Sequence, residues 1–124
     1  MPDWTAEELD RIGAADELEI AALRPDGTLR PATTIWVVRV GDDLYVRSWR
    51  GREGGWFRSV LRRPEGRIRA GAVTRDVAFQ EPADGDHDAI DHAYQTKYAR
   101  YARSYVDPMV SPNARAATLR LVPR

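Results

Sequence analysis

Between Leu29 and Phe79 the apolar positions either alternate with polar ones or form short β-branched runs, a pattern that predicts four strands with one short helix between the second and third. Leu29 to Val40 is long, rich in β-branched residues and centred on Trp36; apolar groups on both faces predict a central strand covered on both sides. Gly41-Asp42-Asp43 turns the chain into a strand where Leu44, Val46 and Ser48 share one face and Tyr45, Arg47 and Trp49 the other. Phe57, Val60 and Leu61 make a helical apolar stripe, with Arg62 and Arg63 at its C-terminal end and Pro64 to stop it. Arg67 to Ala70 and Val73 to Phe79 follow as strands around a tight turn or bulge at Gly71.

The flanks add helices and two further strands. Thr5 with Glu8 three residues on is a capping box, and Trp4 before the cap can staple onto Leu9. A short helix over Ala6 to Ile12 follows, ended by Gly13. Glu17 to Leu23 alternates, and Pro25-Asp26-Gly27 supplies the turn of a hairpin. After a loop from Glu81 to Asp88, the longest helix is expected from Ala89 to Tyr105, because Ile90, Tyr94, Tyr98, Tyr101 and Tyr105 recur on one face. That face can pack against the sheet or a partner subunit, or serve as a stacking platform for a ring. Asp107-Pro108 ends the helix, and Ala117 to Val122 alternates as a closing strand.

Composition narrows the class. The 124 residues suit one domain, residues 1–124, and 43% hydrophobic with 31% charged residues is globular composition. No apolar run approaches the ~20 residues of a membrane span. The acidic start MPDWTAEELD lacks a basic leader and an apolar core, so no secretory signal is expected. Cysteine is absent, which excludes disulfides, a thiol nucleophile and cysteine-based metal sites; a cytoplasmic location is the expectation.

Net charge is zero but unevenly placed. Residues 24–75 hold twelve of the nineteen Lys and Arg and five of the nineteen acids, an excess of +7, against −6 before and −1 after. Every basic residue but Lys97 is Arg, which suits bidentate phosphate contacts and can equally reflect genome composition. The asymmetry points to an anionic, phosphate-bearing small molecule, with nucleic acid disfavoured by the zero sum.

The loop Ser48 to Trp56 is the main candidate, since a Gly-rich turn opening a helix presents unpaired N–H groups to an anion, with Arg50 and Arg52 adding charge. The Lys-Ser/Thr ending of a P-loop is missing, and an ordinary polar loop is the alternative reading. Arg30 and Thr33 are expected on the strand beside this loop, converging on the same anion. Arg39 and Arg47 read as surface positions of strands, and Arg67 and Arg69 as solvated ones. His87 and His92 do not share a helix face and give only a weak metal signal; no serine sits in a nucleophile elbow.

The order strand, PDG turn, long strand, GDD turn, strand, Gly-rich loop, short helix and two strands resembles the flavin-binding split β-barrel. Within it, LRPATTIWVVRVGDDLYVRSWRGREGGWFRSVLRRPEGRIRAG resembles the deazaflavin-dependent nitroreductase branch, while TTIWVVRVGDDLYVRS with PMVSPNARAATLRLVPR is similar to a small bacterial family, domain of unknown function 2255. The resemblance implies a mainly β, mostly antiparallel barrel with flanking helices, a homodimer, and a flavin- or deazaflavin-dependent oxidoreductase binding FMN or a deazaflavin. By position the cofactor's phosphate side would meet Ser48, Arg50, Gly51, Gly54, Gly55 and Trp56, with Arg30 and Thr33 from the neighbouring strand. The loop is shorter than in that branch and lacks its proline before the aromatic residue. The alternative is a non-enzymatic split barrel binding a phosphorylated small molecule or haem.

Overall fold

Thr5 and Glu8 close both arms of the expected capping box, the Thr5 N–H donating to Glu8 at 3.0 Å and the Glu8 N–H to the Thr5 hydroxyl at 3.1 Å. The computed structural model describes residues 3–124. Helix α1 (Ala6–Ala14) runs past Gly13, which lies in its last turn against the aliphatic stem of Arg39 rather than ending it. Thr5 capping and the Arg75 guanidinium, 2.8 Å away, hold the Glu8 carboxyl below its ordinary range and fasten α1 to the sheet.

Seven strands follow: β1 (Leu18–Ala22), β2 (Thr33–Ile35), β3 (Val38–Val40), β4 (Asp43–Arg47), β5 (Glu65–Ala70), β6 (Val73–Gln80) and β7 (Thr118–Pro123). They form one sheet in the order β2-β1-β5-β6-β7-β4-β3, with every neighbouring pair antiparallel. The turn expected at Gly71 joins β5 to β6 through Gly71 and Ala72, both at positive φ (54° and 65°), the backbone a two-residue hairpin of this hand requires.

The single long strand expected from Leu29 to Val40 is instead two short ones at opposite ends of the sheet. Only Trp36 and Val37 separate β2 from β3, so the sheet must curl until its two edges nearly meet. Val37, fully buried, makes the corner: its N–H donates to the Tyr98 hydroxyl at 3.1 Å, and its carbonyl accepts from Tyr98 at 2.9 Å and Lys97 at 2.7 Å. No ladder joins β2 to β3 or β4 among the described residues, so the barrel is split along this line rather than closed.

Inside the curl lies the larger core, with Leu18, Ile20, Leu44, Val46, Phe57 and Leu121 among its members. The opposite face of β3 and β4 is covered by helix α3 (His87–Lys97), where Val38, Tyr45, Ile90, Tyr94, Tyr98 and Met109 form a second cluster. Strand β4 is therefore buried on both sides. The helix expected to reach Tyr105 stops at Lys97, and a separate turn α4 (Arg103–Val106) follows. Tyr94 and Tyr98 are buried, but Tyr101 and Tyr105 are exposed, so the tyrosines do not share one packed face.

Lys97, the last residue of the helix, is tied to the corner: its ammonium reaches the Ala15 and Val37 carbonyls at 2.5 and 2.7 Å and lies over the Tyr98 ring. Burial lowers it to about 8, whereas an unfolded lysine titrates near 10.4. Between these values the unfolded chain binds more protons, so stability is lost as pH falls through about 8 and rises from there towards 10. Burial raises Tyr94 and Tyr98 above the ordinary tyrosine value, so above about 10 the unfolded chain sheds protons first and stability falls again. Thermal midpoints should thus peak between pH 9 and 10 at roughly these limits, and Lys97→Met should flatten the rising limb alone. A midpoint falling steadily from pH 8 would contradict this assignment.

Candidate functional site

Where β4 ends, three successive backbone contacts wind the chain tightly: Ser48 N–H to Ala117 O at 3.0 Å, Gly51 N–H to Ser48 O at 2.9 Å and Gly54 N–H to Gly51 O at 3.1 Å. Gly51 has φ +70° and the Asn113 side chain fills the place a Cβ would take, so this glycine is structural. Gly54 caps helix α2 (Gly55–Arg62) with no side-chain partner for its first turn, and the first helical bond enters at Arg58 N–H. The N–H groups of Gly55, Trp56 and Phe57 are accordingly left without helical acceptors. Against Gly54 rests Ser48, 2% exposed, whose hydroxyl is buried and lacks a hydrogen-bond partner.

These groups border a cavity of about 840 Å³, within the range of small-molecule sites. One wall is the free edge of β2 with the corner, Thr33 to Trp36; the second is Arg47 to Arg50 with Gly54 to Trp56; the third is Ser104, Tyr105, Pro108 and Met109 from α4 and the turn after it. Six of the eight positions singled out from sequence meet here: Thr33, Ser48, Arg50, Gly54, Gly55 and Trp56. Gly51 and Arg30 stay outside the lining. Arg30 sits before β2, its N–H on the Ala22 carbonyl at 2.8 Å and its Nε buried without a partner. The expectation that Arg30 and Thr33 share a strand neighbouring β4 fails, because the corner at Val37 hands that pairing to β3 and leaves β2 beside β1. Thr33 reaches the cavity across the split.

The basic excess of residues 24–75 is largely met by acids outside that stretch. Arg39 pairs with Asp10, Arg52 with Glu81, Arg69 with Glu19, Arg75 with Glu8 and Arg47 with Asp91. Charge asymmetry along the sequence is thus mostly complementarity between elements. Arg50, exposed at the cavity lip, forms none of the ion pairs among the described residues, so its full charge is free for a ligand. Arg67 and Arg69 are solvated, as expected, and alternate with buried Ile68 and Ala70.

Arg47 is not a surface residue. It is 1% exposed, and its guanidinium donates to Asp91 at 2.5 Å, the Met109 carbonyl at 2.8 Å and the Thr118 hydroxyl at 2.9 Å, with His87 Nδ1 at 3.3 Å. Asp91 also accepts from Arg115, which reaches Asp88. A charged network, buried at Arg47 and reaching solvent at Asp88, therefore docks α3 onto β4 at the cavity wall.

The aromatic part of the lining was less visible in sequence. Trp36 does not belong wholly to the core; it is half-buried, stacked on Tyr98 at 3.9 Å between ring centroids and 3° between planes, and borders the cavity. Trp49 and Tyr105, 64% and 67% exposed, stand at the mouth. Of Ser104 to Met109 only Tyr105 gave a sequence signal, as one of the tyrosine face offered for packing or for stacking a ring; the place of the others depends on the helix ending at Lys97.

The chain has the fold of solved proteins that bind different cofactors. It is similar to a FAD-binding protein of Mesorhizobium loti (16% identity, TM-score 0.65, covering 99% of this chain and 90% of that one) and to the haem storage protein HutZ of Vibrio cholerae (12%, 0.64, 99% and 92%). It is also similar to an F420 reductase (14%, 0.56, 100% and 94%). No curated protein matches the chain. Among the described residues no helix is long and apolar enough to cross a membrane. The family model described as an uncharacterized protein conserved in bacteria (DUF2255) matches residues 8–121, nearly the full length, and the chain belongs to that family.

Proposed function

We propose that this protein binds a flavin-type cofactor, FMN or a deazaflavin, in the split of the barrel and serves as a reductase. The observation that carries the reading is the Ser48 hydroxyl, buried without a partner beside the unpaired N–H groups that open α2. Buried polar atoms are ordinarily satisfied. A phosphate placed there would accept from Ser48, from the backbone of Gly55 and Trp56 and from Arg50 at the lip. The residues present fit such a group: Gly54 leaves room for Ser48, and nothing stands within 4 Å of where a Gly55 side chain would begin. When bound, the cofactor supplies hydride transfer; the chain's own part is to hold the phosphate, wall the ring with Trp36 and Trp56, and exclude water. Haem would call for an axial ligand, and the lining offers only Met109 and Tyr105 of the usual types.

Calorimetric titration tests this. Charge-assisted hydrogen bonds contribute about 1.5–3 kcal/mol each, so FMN should bind at least roughly tenfold tighter than riboflavin. Arg50→Ala should remove most of that difference, Arg50→Lys restore part of it by keeping the charge without the fork, and Arg69→Ala change nothing. Equal affinities for the two flavins would end the reading.

A homodimer belongs to the same proposal. Trp49 and Tyr105 expose large apolar surface at the cavity mouth, and a second copy is the natural cover in a two-fold arrangement. Light scattering should give twice the chain mass at micromolar concentration; a monomer would remove any shared site.

A further inference from the structure

Four consecutive residues, Thr33 to Trp36, border the cavity. Side chains on a strand alternate between faces, so a run of neighbours can line one space only along the strand's edge, where main-chain groups are presented. The register identifies the residue that presents them. Ala70 and Val73 close the two-residue β5–β6 hairpin, so even residues of β5 bond to β6 and odd ones to β1. Arg69 faces Glu19 and Arg67 faces Ala21, which directs the odd residues of β1 towards β5 and the even ones towards β2. The Ala22 carbonyl, accepting from Arg30 at 2.8 Å, agrees. Ile20 and Leu18 therefore exchange hydrogen bonds with Thr33 and Ile35, and the N–H and C=O of Thr34 point away from the sheet. The Thr34 side chain lies on the outer face with Glu19 and Arg69, so what this residue offers the cavity is its backbone.

We propose that the Thr34 main chain reads an imide or lactam edge, an N–H beside a carbonyl, on the ring of the ligand held in this cavity. The proposal rests on the cofactor reading above and extends it from the phosphate end to the ring end, since flavins and deazaflavins both carry such an edge on their pyrimidine ring. An added peptide strand is a poorer fit, because the free edge is too short. β2 is three residues long, and Thr34 is the one of them whose main chain faces away from β1. One donor and one acceptor flanked by Trp36 match a planar ring with a single amide edge.

Thr34→Pro deletes the donor without touching the ladder, since proline is accepted on an edge strand where the N–H faces outward. The probes are FMN and FMN methylated at the imide nitrogen. Wild type should bind FMN roughly tenfold tighter than the methylated form, which leaves the Thr34 carbonyl as a desolvated acceptor without a partner. Thr34→Pro should lose about that factor for FMN, because a ring carbonyl is left without its donor, and should still prefer FMN to the methylated form, because the main-chain carbonyl is kept, while Thr34→Val, changing only the outer-face side chain, should behave as wild type. Far-ultraviolet dichroism of the proline variant controls for folding, and the wild-type comparison stands without it. If wild type binds FMN but does not distinguish the two forms, or Thr34→Pro keeps full FMN affinity, the edge reading is overturned and the phosphate site survives. If wild type binds neither form, the cofactor reading falls and this one with it.

Discussion

Arg47→Met should lower the free energy of unfolding by about 3–5 kcal/mol, the scale expected when one partner of a buried ion pair is removed. Methionine fills much of the same space with an unbranched, adaptable chain, so the loss reports the guanidinium rather than a void. What it leaves behind decides the magnitude: Asp91 loses one of two arginine partners, and the Met109 carbonyl and Thr118 hydroxyl lose their donor inside the protein. Asp91→Asn keeps an acceptor near Arg47 and removes the charge. The double variant should be less damaging than the sum of the singles, with a coupling of about 1–3 kcal/mol in urea denaturation. A loss under about 1 kcal/mol for Arg47→Met, the range of exposed pairs, would mean that water reaches this network.

That arginine was also the clearest misreading available from sequence, and the reason is physical. Alternation along β4 assigns Leu44 and Val46 to the core and leaves Tyr45, Arg47 and Trp49 on the other face, where a charge in a strand usually meets water. The companions Tyr45 and Trp49 were the only sign that this face is covered, and neither names Asp91 as the acid waiting on α3. The same limit explains the corner at Val37. β-Branched residues stand on both sides of it, Thr33 to Ile35 before and Val38 and Val40 after, so local propensity is equal on both sides, and the change of partner from β1 to β4 is imposed by Tyr98 and Lys97 more than 50 positions later. By contrast the capping box, the Gly71 hairpin and the loop from Ser48 to Trp56 were legible because each rests on neighbours in sequence. The candidate site was half legible for that reason: its anion-facing half is one local loop, while its aromatic and main-chain half is assembled by the curl of the sheet.

Tyr98 carries that assembly, and its replacement should be the second costly change. Its hydroxyl accepts the Val37 N–H and has one proton to share between the Asp16 and Val37 carbonyls, 2.7 and 2.9 Å away, and its ring stacks on Trp36 at the cavity wall. Tyr98→Phe keeps the ring and orphans a buried N–H, a loss of about 1–3 kcal/mol. Tyr98→Ala removes the ring as well and should cost about 3–5 kcal/mol, the scale of deleting a buried aromatic. The two variants also separate in kind. With phenylalanine the stack on Trp36 persists, so hydrogen exchange should quicken at Val37 while the cavity wall stays in place. With alanine the covering ring of Trp36 is gone, and near-ultraviolet dichroism from the stacked pair should be lost along with stability. If Tyr98→Phe is as stable as wild type and Val37 exchanges no faster, the corner is held by Lys97 alone, and the curl of the sheet has a single anchor where the hydrogen bonds indicate two.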